Sequence, residues 1–289
     1  MRGEGAWLSC PGALPFYHRR IKKRLPRILT HSHGNVDRGR KAAGGLANWK
    51  KRLEAGALAL SVFALAAVSG WGPGHRQTDQ EVIGAAKLPA GPYVALTFDD
   101  GPRGSTTSAL LDGLAQRGVH ATFFVIGENV EGNELLLQRM EGEGHQVGLH
   151  TYHHKSLAQL SAADFYAEVD SLRSTLTALL GREDFMLRPP YGMMNAATQT
   201  RAAAPIVLWS VDPEDWSDRD TQRQVSIILD ETEDGDIILL HDIYPASVDT
   251  ALQVVDALMA RGFHFVTVEE LFAIRGEKPE NGKVYRHLP

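Results

Sequence analysis

The stretch Tyr93-Val94-Ala95-Leu96-Thr97-Phe98-Asp99-Asp100-Gly101-Pro102 runs a short β-rich segment straight into a turn. Branched and aromatic side chains suit a pleated strand, and Gly-Pro after the acidic pair ends it. A helix is expected through Ala109–Arg117, stopping at Gly118, a residue suited to the left-handed position just past a helix. The alternation then repeats. Strands are expected at Ala121–Val125, Gln146–Leu149, Phe185–Leu187, Ile206–Trp209, Ile237–Leu240 and His264–Val266. Helices are expected at Glu134–Glu143, from a cap at Ser161, and around Thr221–Asp230, Ser247–Arg261 and Glu269–Ile274. In the helix after Ser161, Phe165, Val169, Leu172 and Leu176 recur at helical spacing. Short strands alternating with helices predict an α/β protein with a parallel sheet of βαβ units. About seven such pairs suit a closed or nearly closed barrel, with an open doubly wound sheet as the other arrangement.

Composition bounds the rest. The chain has 289 residues, 43% apolar and 22% charged, enough for one globular domain with chain to spare. A single cysteine, Cys10, excludes a disulfide framework and a Cys-rich zinc site. The net charge of −5 argues against nucleic acid as a partner, but it hides a split. Residues 1–52 hold 13 Lys/Arg against 2 Asp/Glu, whereas residues 53–289 hold 17 against 33. At the junction Lys50, Lys51 and Arg52 precede a run of 17 uncharged residues, Ala55–Trp71. Basic residues before an apolar run mark a segment whose N-terminal side stays in the cytoplasm. Its length is at the lower limit for a spanning helix, and its small residues also suit a cleaved signal. The expected organisation is a basic tail over 1–52, a membrane anchor or signal helix over 53–71 and a linker over 72–90. A folded domain over 91–276 and a C-terminal tail over 277–289 complete it. The acidic body is then extracytoplasmic, anchored at the cell membrane or released from it.

Five polar clusters follow five of the expected strands: Thr97–Pro102, His150–His154, Arg188–Gly192, Asp212–Trp216 and Leu239–Asp242. Sites in parallel α/β sheets lie at this C-terminal end of the strands. The adjacent carboxylates of Asp99 and Asp100 diverge, so one can bind a cation while the other faces substrate or water. His150 and His154 can meet one ion if their stretch is helical, because residues four apart share a helix face. Two imidazoles and a carboxylate leave a coordination position open, as in a catalytic zinc site. Such a metal acidifies water and polarises a carbonyl, and a further carboxylate and histidine would serve as base and acid.

These clusters, written TFDDGP, H-[ST]-x-x-H, R-x-P-Y, D-x-x-D-W and L-x-H, resemble the motifs of the polysaccharide deacetylase family. This is the NodB homology domain of carbohydrate esterase family 4, and the resemblance runs from about Tyr93 to Ile274. It implies a distorted (β/α)7-type barrel with parallel strands. It also implies hydrolysis of N-acetyl, sometimes O-acetyl, groups on sugars with a divalent metal, commonly Zn2+. By the same resemblance Asp99 would be the general base and Asp100, His150 and His154 the metal ligands. Arg188 would hold Asp99, and the backbone N–H of Tyr191 would stabilise the oxyanion. His241 would be the general acid, kept protonated by Asp212. Leu239 and Trp216 would line a pocket for the acetyl methyl, with Pro190 and Tyr191 also bordering the substrate. His153 is expected to face away from the metal or toward substrate, and His120 and His145 to be structural. The substrate expected is an extracytoplasmic polysaccharide, peptidoglycan or a chitin-type oligosaccharide. An O-acetyl xylan-type esterase and a non-catalytic glycan-binding wall protein are the alternatives.

Overall fold

The computed structural model describes residues 89–289. The basic tail, the apolar stretch and nearly all of the expected linker lie outside these residues. Among the described residues no helix is long and apolar enough to cross a membrane.

Strand β1, Tyr93–Asp99, is buried along its whole length. That burial fits its near-continuous apolar run, because a parallel strand covered on both faces has no need of polar alternation. Its partners are β2 (Thr122–Val125), β5 (Ile237–His241) and β6 (His264–Val266), all parallel. β3 (Gln146–Leu149) continues the sheet beyond β2. A second, two-residue parallel pair joins β4 (Ile206–Val207) to β7 (Val284–Tyr285). Between the two sheets the links are single bridges, parallel from Leu149 to Leu187, Leu187 to Ile206 and Val211 to Ile238, and antiparallel from Asp236 to His287.

The helices are α1 (Gly104–Arg117), α2 (Glu134–Gly142), α3 (Ala162–Leu180), α4 (Ala196–Arg201), α5 (Thr221–Glu231), α6 (Pro245–Ala260) and α7 (Val268–Arg275). Their ends follow local chemistry. The Ser161 side chain accepts from the Asp164 N–H at the start of α3, and Gly118 takes the left-handed conformation after α1 with φ 61°. Thr267 and Glu270 form a reciprocal capping box on α7. The stripe Phe165, Val169, Leu172 and Leu176 is buried as its spacing predicts.

Period-two alternation along β1 divides the core. Val94, Leu96 and Phe98 belong to a cluster with Leu110, Leu114, Val254 and Leu258 of α1 and α6. Tyr93 and Ala95 point to the other face, into a smaller cluster with Phe124, Ile237, Leu271, Phe272 and Tyr285. Thr97 and Asp99 share that second face, since side chains two apart on a strand point the same way. The site is therefore built on top of an apolar floor.

Two expectations change. The strands expected at Phe185–Leu187 and Ile206–Trp209 shrink to a bridge at Leu187 and to Ile206–Val207. The carbonyls of Val207 and Leu208 accept from the Arg188 guanidinium instead of extending a ladder. Residues 277–289, read as a tail, carry β7, and Leu288 is buried with its N–H bonded to the Gly235 carbonyl. A Cβ at Gly235 would meet the Leu288 oxygen at 2.1 Å, so glycine is required for this closure.

Leu172→Ala, on the fully buried face of α3, should cost about 2–5 kcal/mol, read from urea unfolding.

Candidate active site

The polar clusters meet at the C-terminal ends of the strands. β1 ends at Asp99 and β5 at His241, and these two residues are paired in register on adjacent strands. His150 directly follows β3, and Arg188 follows the bridge residue Leu187.

Arg188 is fully buried. Its Nη1 donates to Thr97 Oγ1 at 2.8 Å and to Asp99 Oδ1 at 2.9 Å, while Nε and Nη2 reach the carbonyls of Val207 and Leu208. Its flat face lies over the Phe124 ring, 4.2 Å from the centroid. Asp99 is thus held by one carboxylate oxygen, and its Oδ2 lies 3.7 Å from His150 Nε2.

The chain turns sharply after Asp99. Asp100 takes φ 72°, which swings its carboxylate away from that of Asp99 and toward the histidines. Asp100 Oδ1 lies 3.5 Å from His150 Nε2 and 3.3 Å from His154 Nε2. These three ligand atoms lie within 4.8 Å of one another. The carbonyl of Asp100 accepts from Asn129 Nδ2, and Gly101 sits where a Cβ would come within 2.3 Å of the Asp242 carboxylate. Burial lifts the Asp242 carboxyl to about 7 against its bond from Thr107, with the Asp100 charge adding to the rise.

The stretch His150–His154 is not helical, so the two imidazoles do not converge by helical spacing. They converge through a loop in which Thr151 and His154 hold φ values of 66° and 54°. Such backbone costs a residue other than glycine about 1–3 kcal/mol and persists only where its surroundings enforce it. His150 Nδ1–H donates to the Arg188 carbonyl at 2.8 Å, which leaves Nε2 free as a lone-pair donor. Burial lowers the pKa of His150, so the ring is held neutral as a ligand must be. His153 turns away from the ligands: its Nδ1 meets Glu168 at 3.0 Å. His145 is buried, its Nδ1 accepting from the Ala121 N–H, and burial pushes it down to about 4. His120 meets Glu270 at 3.4 Å.

These residues fit a divalent cation. Asp100 Oδ1 is buried and has no hydrogen-bond partner, although it faces two imidazole nitrogens. With bonds of about 2.0–2.2 Å, tetrahedral ligand atoms lie roughly 3.4 Å apart, close to the separations found here.

One expected role moves. His241 Nδ1 pairs with Asp215 Oδ1 at 2.7 Å and the His241 N–H with Asp215 Oδ2 at 2.9 Å, so Asp215, not Asp212, holds the ring. The Ser247 hydroxyl fixes the same carboxylate from α6. Asp212 instead accepts from the Glu214 N–H at 2.8 Å, and Glu214 takes φ 54°. That turn faces Asp212 inward on its own loop and leaves Asp215 to reach β5. Both carboxylates belong to one Asp-x-x-Asp motif, and nothing in the spacing distinguishes them. Burial opposes charge on His241, but the bond and charge of Asp215, with Asp99 and Asp100, raise it to about 9.

The remaining expected residues border this centre. The Tyr191 ring lies 4.7 Å from that of His154, and its backbone takes φ 62° with Pro190 buried before it. Leu239 is buried two residues before His241, and Trp216 is half exposed beside Asp215.

Comparison with known proteins agrees with this geometry. Residues 87–205 match the family model for polysaccharide deacetylase. A solved structure described as a T48 deacetylase with substrate shares 42% identity with a TM-score of 0.65, covering 68% of this chain and 96% of that one. The chain belongs to the polysaccharide deacetylase family. It is 37% identical over 185 residues to peptidoglycan-N-acetylmuramic acid deacetylase PdaC of Bacillus subtilis, covering 64% of this chain and 40% of that protein. It is 40% identical over 195 residues to peptidoglycan-N-acetylglucosamine deacetylase PgdA of Listeria monocytogenes, covering 66% and 41%. The chain thus spans about two fifths of the length of these two relatives.

Asp215→Asn should lower the pKa of His241 from about 9, because it removes the charge that does most to offset burial and leaves Asp99 and Asp100 to oppose it. An NMR titration of the His241 ring reads this shift, and the alkaline limb of any activity profile should move to lower pH with it.

Proposed function

We propose that this protein is a metal-dependent hydrolase that removes N-acetyl groups from N-acetylhexosamine units of an extracytoplasmic polysaccharide. The observation that carries the reading is the partnerless Asp100 Oδ1 set between His150 and His154 Nε2, with the Arg188-bound carboxylate of Asp99 beside it. A divalent cation held by Asp100, His150 and His154, a two-imidazole, one-carboxylate donor set that suits zinc, would supply Lewis-acid polarisation of the acetyl carbonyl and acidify water.

The chain's own residues do the rest. Asp99, oriented by its hydrogen bond from Arg188, takes a proton from the attacking water. The backbone N–H of Tyr191 stabilises the negative charge that develops on the carbonyl oxygen. His241 donates a proton to the departing sugar amine, with Asp215 holding its other nitrogen. An amine is a poor leaving group until protonated, so the acid must be distinct from the base. His241 is still charged at neutral pH, which suits that role. Water and the acetamido sugar become acetate and the free amino sugar. Leu239 and Trp216 line the pocket for the acetyl methyl, and Pro190 and Tyr191 border the sugar.

The relatives named above support peptidoglycan as the glycan. The charge split around residue 52 and the apolar run Ala55–Trp71 support a membrane-anchored or secreted protein with this domain outside the cytoplasm. The single bridges that link β3 through Leu187 and β4 to β5 support a distorted barrel around the site.

Incubating the 289-residue protein with zinc and an N-acetylated glycan oligosaccharide should release acetate. Chelation should abolish release, and Asp99→Asn should reduce it about 10²–10⁴-fold. Acetate release indifferent to both treatments would refute the reading. His241→Ala should lose more activity on the amide than on an acetyl ester, because an alkoxide departs with less help than an amine. Equal loss on both, with the ester the faster substrate, would favour an O-acetyl esterase.

A further inference from the structure

The loop between the two histidine ligands has to be kept in an unfavourable backbone form, with Thr151 and His154 both left-handed. One wall of that loop is pinned by main chain. The Gly127 and Glu128 N–H groups donate to the carbonyls of Thr151 and Tyr152 at 3.0 and 2.9 Å. Gly127 allows this approach because a Cβ there would lie 2.4 Å from the Tyr152 ring.

The other wall is α3. Glu168 falls on the same helix face as Phe165, Val169 and Leu172, and it is buried with them. A carboxylate on the core face of a helix is costly unless it is fully paired. Every partner recorded for it comes from the histidine loop. The His153 N–H donates to Oε2 at 2.8 Å, His153 Nδ1 meets Oε1 at 3.0 Å, and Lys155 Nζ reaches Oε1 at 2.7 Å. His153 and Lys155 flank His154 in the chain, so one carboxylate straddles the ligand residue, gripping the backbone and ring before it and the side chain after it.

We propose that Glu168 is a positioning residue for the metal centre, its buried carboxylate holding the loop so that His154 Nε2 is aimed at Asp100. The inference rests on the reading of Asp100, His150 and His154 as metal ligands. It also assigns the extra imidazole of His153, which serves as a tether for the loop and not as a ligand. Lys155 adds a second tether from the exposed side.

The test measures zinc affinity of the 289-residue protein by competition with a chromogenic chelator, beside thermal melting of the metal-free form. Glu168→Gln keeps the volume but weakens the grip, and it should reduce zinc affinity about 10–100-fold. Lys155→Met removes one exposed tether and should reduce it about two- to fivefold. Amide exchange at His153 should quicken in both variants. A purely structural role would lower the melting temperature and leave zinc affinity of the folded protein intact. Wild-type affinity in both variants therefore overturns the proposal. Should Glu168→Gln fail to fold, Lys155→Met decides alone, since its side chain is exposed and the core is untouched. If the wild-type protein itself binds no zinc, the metal reading fails as well, and the two failures are told apart.

Discussion

A guanidinium with no access to water sits at the centre of this fold. Arg188 is charged, and burying a cation is tolerable only when its donors and its charge are answered. Asp99 answers the charge, and Thr97, Val207 and Leu208 take the remaining bonds recorded for it. Four consequences follow from this one arrangement. The end of β1 is tied to the segment after β4, the β4 ladder stops short, the Asp99 carboxylate is fixed in orientation, and the Arg188 carbonyl is placed to orient His150. Losing one partner of such a pair typically costs about 3–5 kcal/mol, so stability and the orientation of Asp99 are guarded by the same contact.

The sheet supplies position and the loops supply direction. Strand ends set Asp99, His150 and His241 at one rim, above the apolar cluster that includes Phe124, Ile237 and Phe272. Side-chain aim then depends on backbone that leaves the ordinary regions at Asp100, Thr151, His154, Tyr191 and Glu214. All five fall in the polar clusters, where local strain is tolerated because many contacts enforce it.

Much of this was legible before any coordinates. The apolar run of β1, the helix stop at Gly118 and the cap at Ser161 are local signals with local causes, and they fall where the residues place them. The convergence of Asp100, His150 and His154 was legible too, but a strained loop, not a helix, brings His150 and His154 together. The partner of His241 was not legible, because Asp212 and Asp215 are chemically equal and only the turn through Glu214 separates them. Glu168 was hidden for another reason. Its spacing from Phe165 and Leu172 puts it on the apolar face of α3, but nothing in the helix sequence shows that the histidine loop pairs with it there. β7 escaped because a two-residue strand near the chain end has no periodicity to detect.

Asp99 and His241 occupy the same rung of neighbouring strands. Their backbones are therefore separated by the inter-strand repeat of about 4.8 Å, a distance set by main-chain hydrogen bonding and not by any loop. Insertions or replacements around the rim can reshape the loops without stretching the gap between these two residues. The yardstick of the site is built into the sheet, and the loops are free to drift around it.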